Sequence, residues 1–192
     1  MYFELRTQSI GGLTDDQFFA FCQENADLKF ERTADGEIIF IMPTGGETGF
    51  RNTELITELN LWNRLTKAGK VFDSSTGFKL PNTATRSPDA SWVAAARWQV
   101  LSEEERRKFP PLCPDFVVEL MSESDGLAYS QGKMREWMEN GCRLGWLIDT
   151  NARKVYVYRQ GQPEPQVVPG FDQPLSGEEV LQGFTLDLTW LQ

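Results

Sequence analysis

Apolar residues recur at two spacings along this chain, and the change from one to the other marks out its elements. In TDDQFFAFCQE, the apolar Phe18, Phe19, Phe21 and Cys22 follow Thr14, Asp15, Asp16 and Gln17. That is a capping-box spacing with acids in the first turn, and it predicts a short helix opened by Thr14. In LKFERTADGEIIFIM, two strand-like runs flank Asp35-Gly36, the signal of a tight hairpin. PTGGETGFRN reads as irregular. The next helix is expected over ELITELNLWNRLTKAG, with Leu55, Leu59, Trp62 and Leu65 on one face and Gly69 as its stop.

Short strands are expected in KVFDSS, GFKL and SPDASWVAA. WQVLSEEERRKFPP reads as a charged helical excursion with Ser102 as N-cap. PDFVVEL is the most apolar strand, and the turn-rich SESDG follows it. LAYSQGKMREWMENG is an amphipathic helix ending at Gly141, with Leu127, Met134 and Met138 as its stripe and Trp137 beside it. RLGWLID and KVYVYR are strands joined by a turn, and a proline-rich tail with short apolar runs follows from Gln162. Strands alternating with helices predict an α/β fold, one mixed β-sheet flanked by helices, with PDFVVEL, its helix and RLGWLID forming a β–α–β unit.

Composition narrows the chemistry. At 192 residues, one domain spanning 1–192 is expected. With 13 Phe and 6 Trp, the chain can bury a real core. Histidine is absent, which excludes Ser-His-Asp triads, Cys-His nucleophiles and histidine-ligated zinc. Cys22, Cys113 and Cys142 show no paired spacing and read as buried free thiols. No basic-then-apolar leader and no membrane-spanning run is visible, so a cytoplasmic protein with no membrane partner is expected. The formal charge of −9 means that any polyanion must meet a local basic patch. Candidates are Arg51 with Arg64, Lys67 and Lys70, the run Arg106-Arg107-Lys108, and Arg153-Lys154.

Two carboxylates sit where carboxylates are costly. Asp89 follows Pro88 at the start of a strand, and Glu119 lies within PDFVVEL. Alternation puts Phe116, Val118 and Leu120 on one face and Asp115, Val117 and Glu119 on the other. A buried carboxylate must be paired, hydrogen-bonded or metal-bound. If Asp89 lies on a neighbouring strand, both acids converge on one hard cation. Lys133, on the flank of the following helix, can reach the same cleft while its stem packs on apolar surface.

These segments, SPDASWV, PDFVVELMSESD and QGKMREWMENGCRLGWLID, resemble the PD-(D/E)XK superfamily. More narrowly, the chain resembles the bacterial family of small, multi-copy restriction-endonuclease-like proteins. The resemblance runs from about Asp35 through Asp187. It implies a restriction-endonuclease-like core over 35–192, with 1–34 supplying an N-terminal helix and the first hairpin strand. It also implies roles: Asp89 and Glu119 as metal ligands, the Leu120 carbonyl near the metal, and Lys133 as the site lysine. A further acidic residue is implied from the first core helix, Glu47 first and Glu54 second. Gln131 is a further candidate for orienting water. The superfamily's lysine usually stands two residues after the strand glutamate, and here that residue is Met121, which cannot donate to a phosphate.

The function so implied is Mg²⁺- or Mn²⁺-dependent hydrolysis of phosphodiester bonds, with DNA as the expected substrate. A divalent ion held by two carboxylates neutralises the phosphate and activates water, and an ammonium beside it stabilises charge in the transition state. Arg51, Arg106, Arg107 and Lys108 would contact phosphates if they line the cleft. Two alternatives stay open. The chain is a catalytically inactive binding or regulatory module, as Met121 suggests, or an oligomer. For the oligomer, Trp92, Trp98 and Trp190 outside the core could build a homodimer face, and dimerisation is compatible with the nuclease reading.

Overall fold

The computed structural model describes residues 2–123 and 125–191. β1 (Tyr2–Leu5) precedes α1 (Asp15–Glu24). Thr14 caps α1 as its neighbours predict: its hydroxyl accepts from the Gln17 N–H at 3.3 Å, and the Gln17 side chain accepts from the Thr14 N–H at 2.9 Å. The hairpin around Asp35-Gly36 consists of β2 (Lys29–Arg32) and β3 (Ile38–Ile41). Next in the chain are α2 (Gly46–Thr66), β4 (Gly69–Asp73), the short strands β5 (Phe78–Lys79) and β6 (Thr85–Arg86), and β7 (Ala90–Ala94). The charged excursion folds as α3 (Ala95–Gln99) and α4 (Glu103–Arg107). Ser102 caps α4 through a second capping box, with Glu105. β8 (Phe116–Met121), α5 (Leu127–Glu139) and β9 (Leu144–Asp149) form the expected β–α–β unit, with β8 and β9 parallel neighbours. Ser124, in the stretch SESDG read from the sequence as turn-rich, lies outside the described residues. β10 (Lys154–Arg159) and β11 (Gln166–Pro169) extend the sheet antiparallel, and β12 (Leu175–Ser176) and β13 (Thr185–Leu186) make a separate ribbon.

The strands divide into three sheets rather than the single one expected. The central sheet runs β11-β10-β9-β8-β7-β4, mixed in sense, and the hairpin belongs to another, β1-β3-β2-β6-β5. β1 occupies one edge of the hairpin and β6 the other, so its outward backbone groups are already paired within its own layer. Alternation along β8 sorts the core as predicted. Phe116, Val118 and Leu120 join α2's Leu55 and Leu59 on one face. Val117 and Met121 join Met134 and Trp137 of α5 on the other. Gly145 lets α5 come down onto β9, since a Cβ there would meet the Met134 methyl at 2.5 Å.

Several local expectations are corrected. The segment read as irregular is helical from Gly46, despite three glycines. Propensity loses to tertiary anchoring: Arg51 reaches Thr150 and Asn52 reaches Asp89 from that first stretch. Leu65 is 87% exposed. Six residues past Leu59, it sits about 120° around the helix from that buried residue, off the packed face. α2 ends at Lys67 with a left-handed backbone (φ 55°), so Gly69 is not its stop. Gly69 opens β4 instead, where a side chain would strike the Val93 carbonyl and the Trp92 ring. Trp92 is buried in the core, donating from Nε1 to Asn63 Oδ1 at 2.9 Å, and Trp98 packs on Phe72, so neither stands ready as a dimer face. On α5, Trp137 is fully buried at the centre of the stripe, while Leu127 is exposed. The tail contributes more than short apolar runs. Phe171, Leu175, Leu181, Phe184, Leu186, Leu188 and Leu191 close the α2 face of the central sheet. Cys113 and Cys142 are buried as expected, and Cys22 is half-buried. Among the described residues, no helix is long and apolar enough to cross a membrane.

Candidate active site

Asp89 stands one residue before β7, and Glu119 sits within β8. The register pairs Ala90 with Val118 across these antiparallel strands, so Asp89 and Glu119 face each other one step further on. Glu119 projects to the side of the sheet covered by α5, and both acids line a cleft of about 860 Å³ at the C-terminal end of β8. Asp89 Oδ2 accepts from the Leu120 N–H at 2.7 Å, and its Oδ1 accepts from Asn52 Nδ2 at 3.3 Å. Glu119 Oε1 accepts from the Trp137 indole at 2.8 Å.

Lys133 also meets them there. Its Nζ lies 3.0 Å from Glu119 Oε1 and donates to the Ser87 carbonyl at 3.1 Å. A third acid takes part that the sequence pattern did not single out. Glu31 of β2, 1% exposed, places Oε1 3.0 Å from Lys133 Nζ. The same oxygen accepts from the Ser87 N–H at 3.0 Å, and Oε2 lies 3.1 Å from Arg86. Arg86 in turn binds Glu136 of α5 at 2.6 Å.

The electrostatics follow from one ammonium shared among several carboxylates. Burial pushes the Glu119 carboxyl up to about 7; Lys133 pulls against this, while Asp89 and Glu31 push with it. Burial works against the Lys133 ammonium, yet the carboxylates of Glu119, Glu31 and Asp89 outweigh it and hold its pKa above the ordinary lysine value. For Glu31, burial is outweighed by Lys133, Arg86 and the Ser87 N–H, and its pKa falls to about 2. When all are ionised, Asp89, Glu119, Glu31 and Glu136 outnumber Lys133 and Arg86 by two charges. That excess, in an all-oxygen setting without histidine or thiolate, suits one hard divalent cation. Among the described residues no group of three or more acidic or thiol side chains is arranged to hold a metal, so water would complete a shell begun by Asp89 and Glu119.

The other residues singled out from the sequence fall on both sides of the cleft wall. Leu120, Glu47 and Arg51 line it. Glu47, however, points to solvent, its side chain 83% exposed and 3.9 Å from Arg51. Glu54 and Gln131 do not line it. The α2 side chain that reaches Asp89 is Asn52, whose buried Oδ1 has no hydrogen-bond partner among the described residues. Arg106, Arg107 and Lys108 stay outside the cleft. Arg106 lies over the Trp98 ring, Arg107 pairs with Glu103 at 3.3 Å, and Lys108 pairs with Asp16 and Glu104. Of these, Arg107–Glu103 and Lys108–Glu104 are i,i+4 pairs that set cation beside acid along α4. Met121 is buried against the α5 core at the cleft wall, where its thioether offers no cation. Asp115 lies at the opposite end of β8, bound by the Ala94 N–H at 2.9 Å and by Arg97 at 3.1 Å.

The model of the family described as "Uma2: Putative restriction endonuclease" matches residues 15–189. This chain belongs to the Uma2 family. A crystal structure of a protein described as a putative nuclease of DUF820, from Anabaena variabilis ATCC 29413, aligns with a TM-score of 0.74 at 20% identity. The alignment covers 94% of this chain and 99% of that one, and shows that the Uma2 chain has the same fold. The restriction-endonuclease-like core expected from the sequence is therefore present. No curated protein matches the chain.

Proposed function

We propose that this Uma2 protein is a Mg²⁺- or Mn²⁺-dependent endonuclease acting on nucleic-acid phosphodiester bonds, with DNA as its substrate. One observation carries the reading: two acids 30 residues apart in sequence, Asp89 and Glu119, flank one cleft together with the Lys133 ammonium. Asp89 and Glu119 would hold the ion, with the Leu120 carbonyl beside it, and Asn52 Oδ1 is an unsatisfied oxygen close by. When bound, such an ion would supply Lewis-acid charge at the scissile phosphate and a more acidic water. The chain's own part is positional. The Leu120 N–H and Asn52 fix the Asp89 carboxylate, and the Trp137 indole fixes Glu119. Lys133 brings a permanent positive charge to the cleft from α5, in place of the strand lysine that Met121 replaces. Arg51 at the rim would meet a phosphate of the substrate backbone.

Nicking of supercoiled plasmid with Mg²⁺ or Mn²⁺ tests this. Wild type is expected to cleave, and Asp89→Ala and Lys133→Ala each to lose at least about a hundredfold. Equal cleavage by all three means a contaminant and ends the proposal. A second reading, an inactive binding module, is favoured by the buried Met121 and by a Lys133 ammonium already held by three groups. It expects no cleavage and no rise in melting temperature with Mn²⁺, whereas a bound ion stabilises the fold.

A further inference from the structure

We infer that Glu31 is a positioning residue of this site: delivered by β2, its carboxylate holds the Lys133 ammonium in the cleft and aims it at Glu119. The inference rests on the nuclease reading of the cleft. A lysine carries its charge on a flexible four-carbon stem, and α5 alone fixes only its root. Around Nζ stand three acceptors from other elements: Glu31 at 3.0 Å, Glu119 at 3.0 Å and the Ser87 carbonyl at 3.1 Å.

Glu31 is itself immobilised. One oxygen takes the Ser87 N–H at 3.0 Å, and the other lies 3.1 Å from Arg86. Arg86 returns to α5 through Glu136 at 2.6 Å, three residues beyond Lys133. The contacts close a ring through β2, β6 and α5, so the hairpin layer sets where the ammonium stands. Ser87 is two residues from Asp89, so the same ring steadies the segment that carries the other acid. A carboxylate this buried is stable only with such partners, and the hydrogen bonds and ion pairs described for its side chain all belong to this ring.

A plain structural ion pair makes a different prediction from a positioning group, and a double-mutant cycle separates them. Cleavage kinetics are to be measured for Glu31→Gln, Lys133→Met and the double variant. The ¹⁵N signal of the Lys133 ammonium is to be recorded in metal-free wild type and Glu31→Gln. Glu31→Gln is expected to lower kcat about 10- to 100-fold with KM within about twofold, and to cost under about twofold when added to Lys133→Met. The slowly exchanging Lys133 ammonium signal is expected in wild type and lost in Glu31→Gln. An equal drop in both backgrounds, or an unchanged ammonium signal in Glu31→Gln, overturns the inference. Should Glu31→Gln alone not fold, the double variant removes both charges, and a rate well below that of Lys133→Met again overturns it. If wild type cleaves nothing, the nuclease reading falls, and the ammonium signal alone decides whether Glu31 places Lys133.

Discussion

Glu31 ties the stability of the hairpin layer to pH through a single buried charge. Its carboxyl, ordinarily near 4.5, is held at about 2. A depressed pKa means that the folded state favours the charged form, so the stabilisation is complete above about 4.5 and fades as pH falls toward 2. The shift corresponds to about 3 kcal/mol. Urea unfolding should therefore show wild type ahead of Glu31→Gln by roughly that amount at pH 6, with the gap mostly closed near pH 2.5. A gap independent of pH contradicts this account. Neither Glu31 nor Asn52 was legible in the sequence. Glu31 sits in LKFERT between Lys29 and Arg32, where alternating charges read as a solvated strand face. Its burial comes from β6 and α5, more than 50 residues away in sequence. Asn52 lies in a glycine-rich stretch whose helix forms against local propensity. Asp89, Glu119 and Lys133 were legible because each breaks an otherwise apolar or amphipathic pattern.

At the scale of elements, α2 and α4 both offer arginines, but only α2 brings one to the cleft. Arg51→Ala should weaken nucleic-acid binding and shallow its salt dependence by about one charge's worth. The triple change of Arg106, Arg107 and Lys108 to Ala should leave binding within about twofold, since none of them lines the cleft, Arg106 lies over Trp98, and Arg107 and Lys108 are paired with acids. Fluorescence anisotropy across a salt series with a labelled duplex measures both, and the reverse ranking would relocate the binding face. Most elements were readable from capping boxes, the Asp-Gly turn and alternation in β8. The division of strands among sheets was not, because edge pairing depends on which distant strand arrives. β6, two residues long, carries no periodic signal of its own, yet it closes the hairpin's free edge.

Across the whole molecule, a net charge of −9 and a cleft richer in acids than in bases leave little long-range attraction for a polyanion. Binding should depend on the divalent ion as a bridge, and on Arg51, more than on a broad basic surface. The tail is the other global feature. Phe171, Leu181 and Phe184 pack on Trp146 and its neighbours, each large buried side chain contributing about 2 kcal/mol. A chain cut after Gly170 should lose native near-ultraviolet dichroism and bind hydrophobic dye, although it keeps every cleft residue.

That separation has a consequence for the protein's synthesis. Each wall of the cleft has been translated once Leu147 emerges, yet the α2 side of the central sheet is only partly covered until residues 171–191 leave the ribosome. The side chains proposed to cut would thus be synthesised well before the packing that would hold them in place.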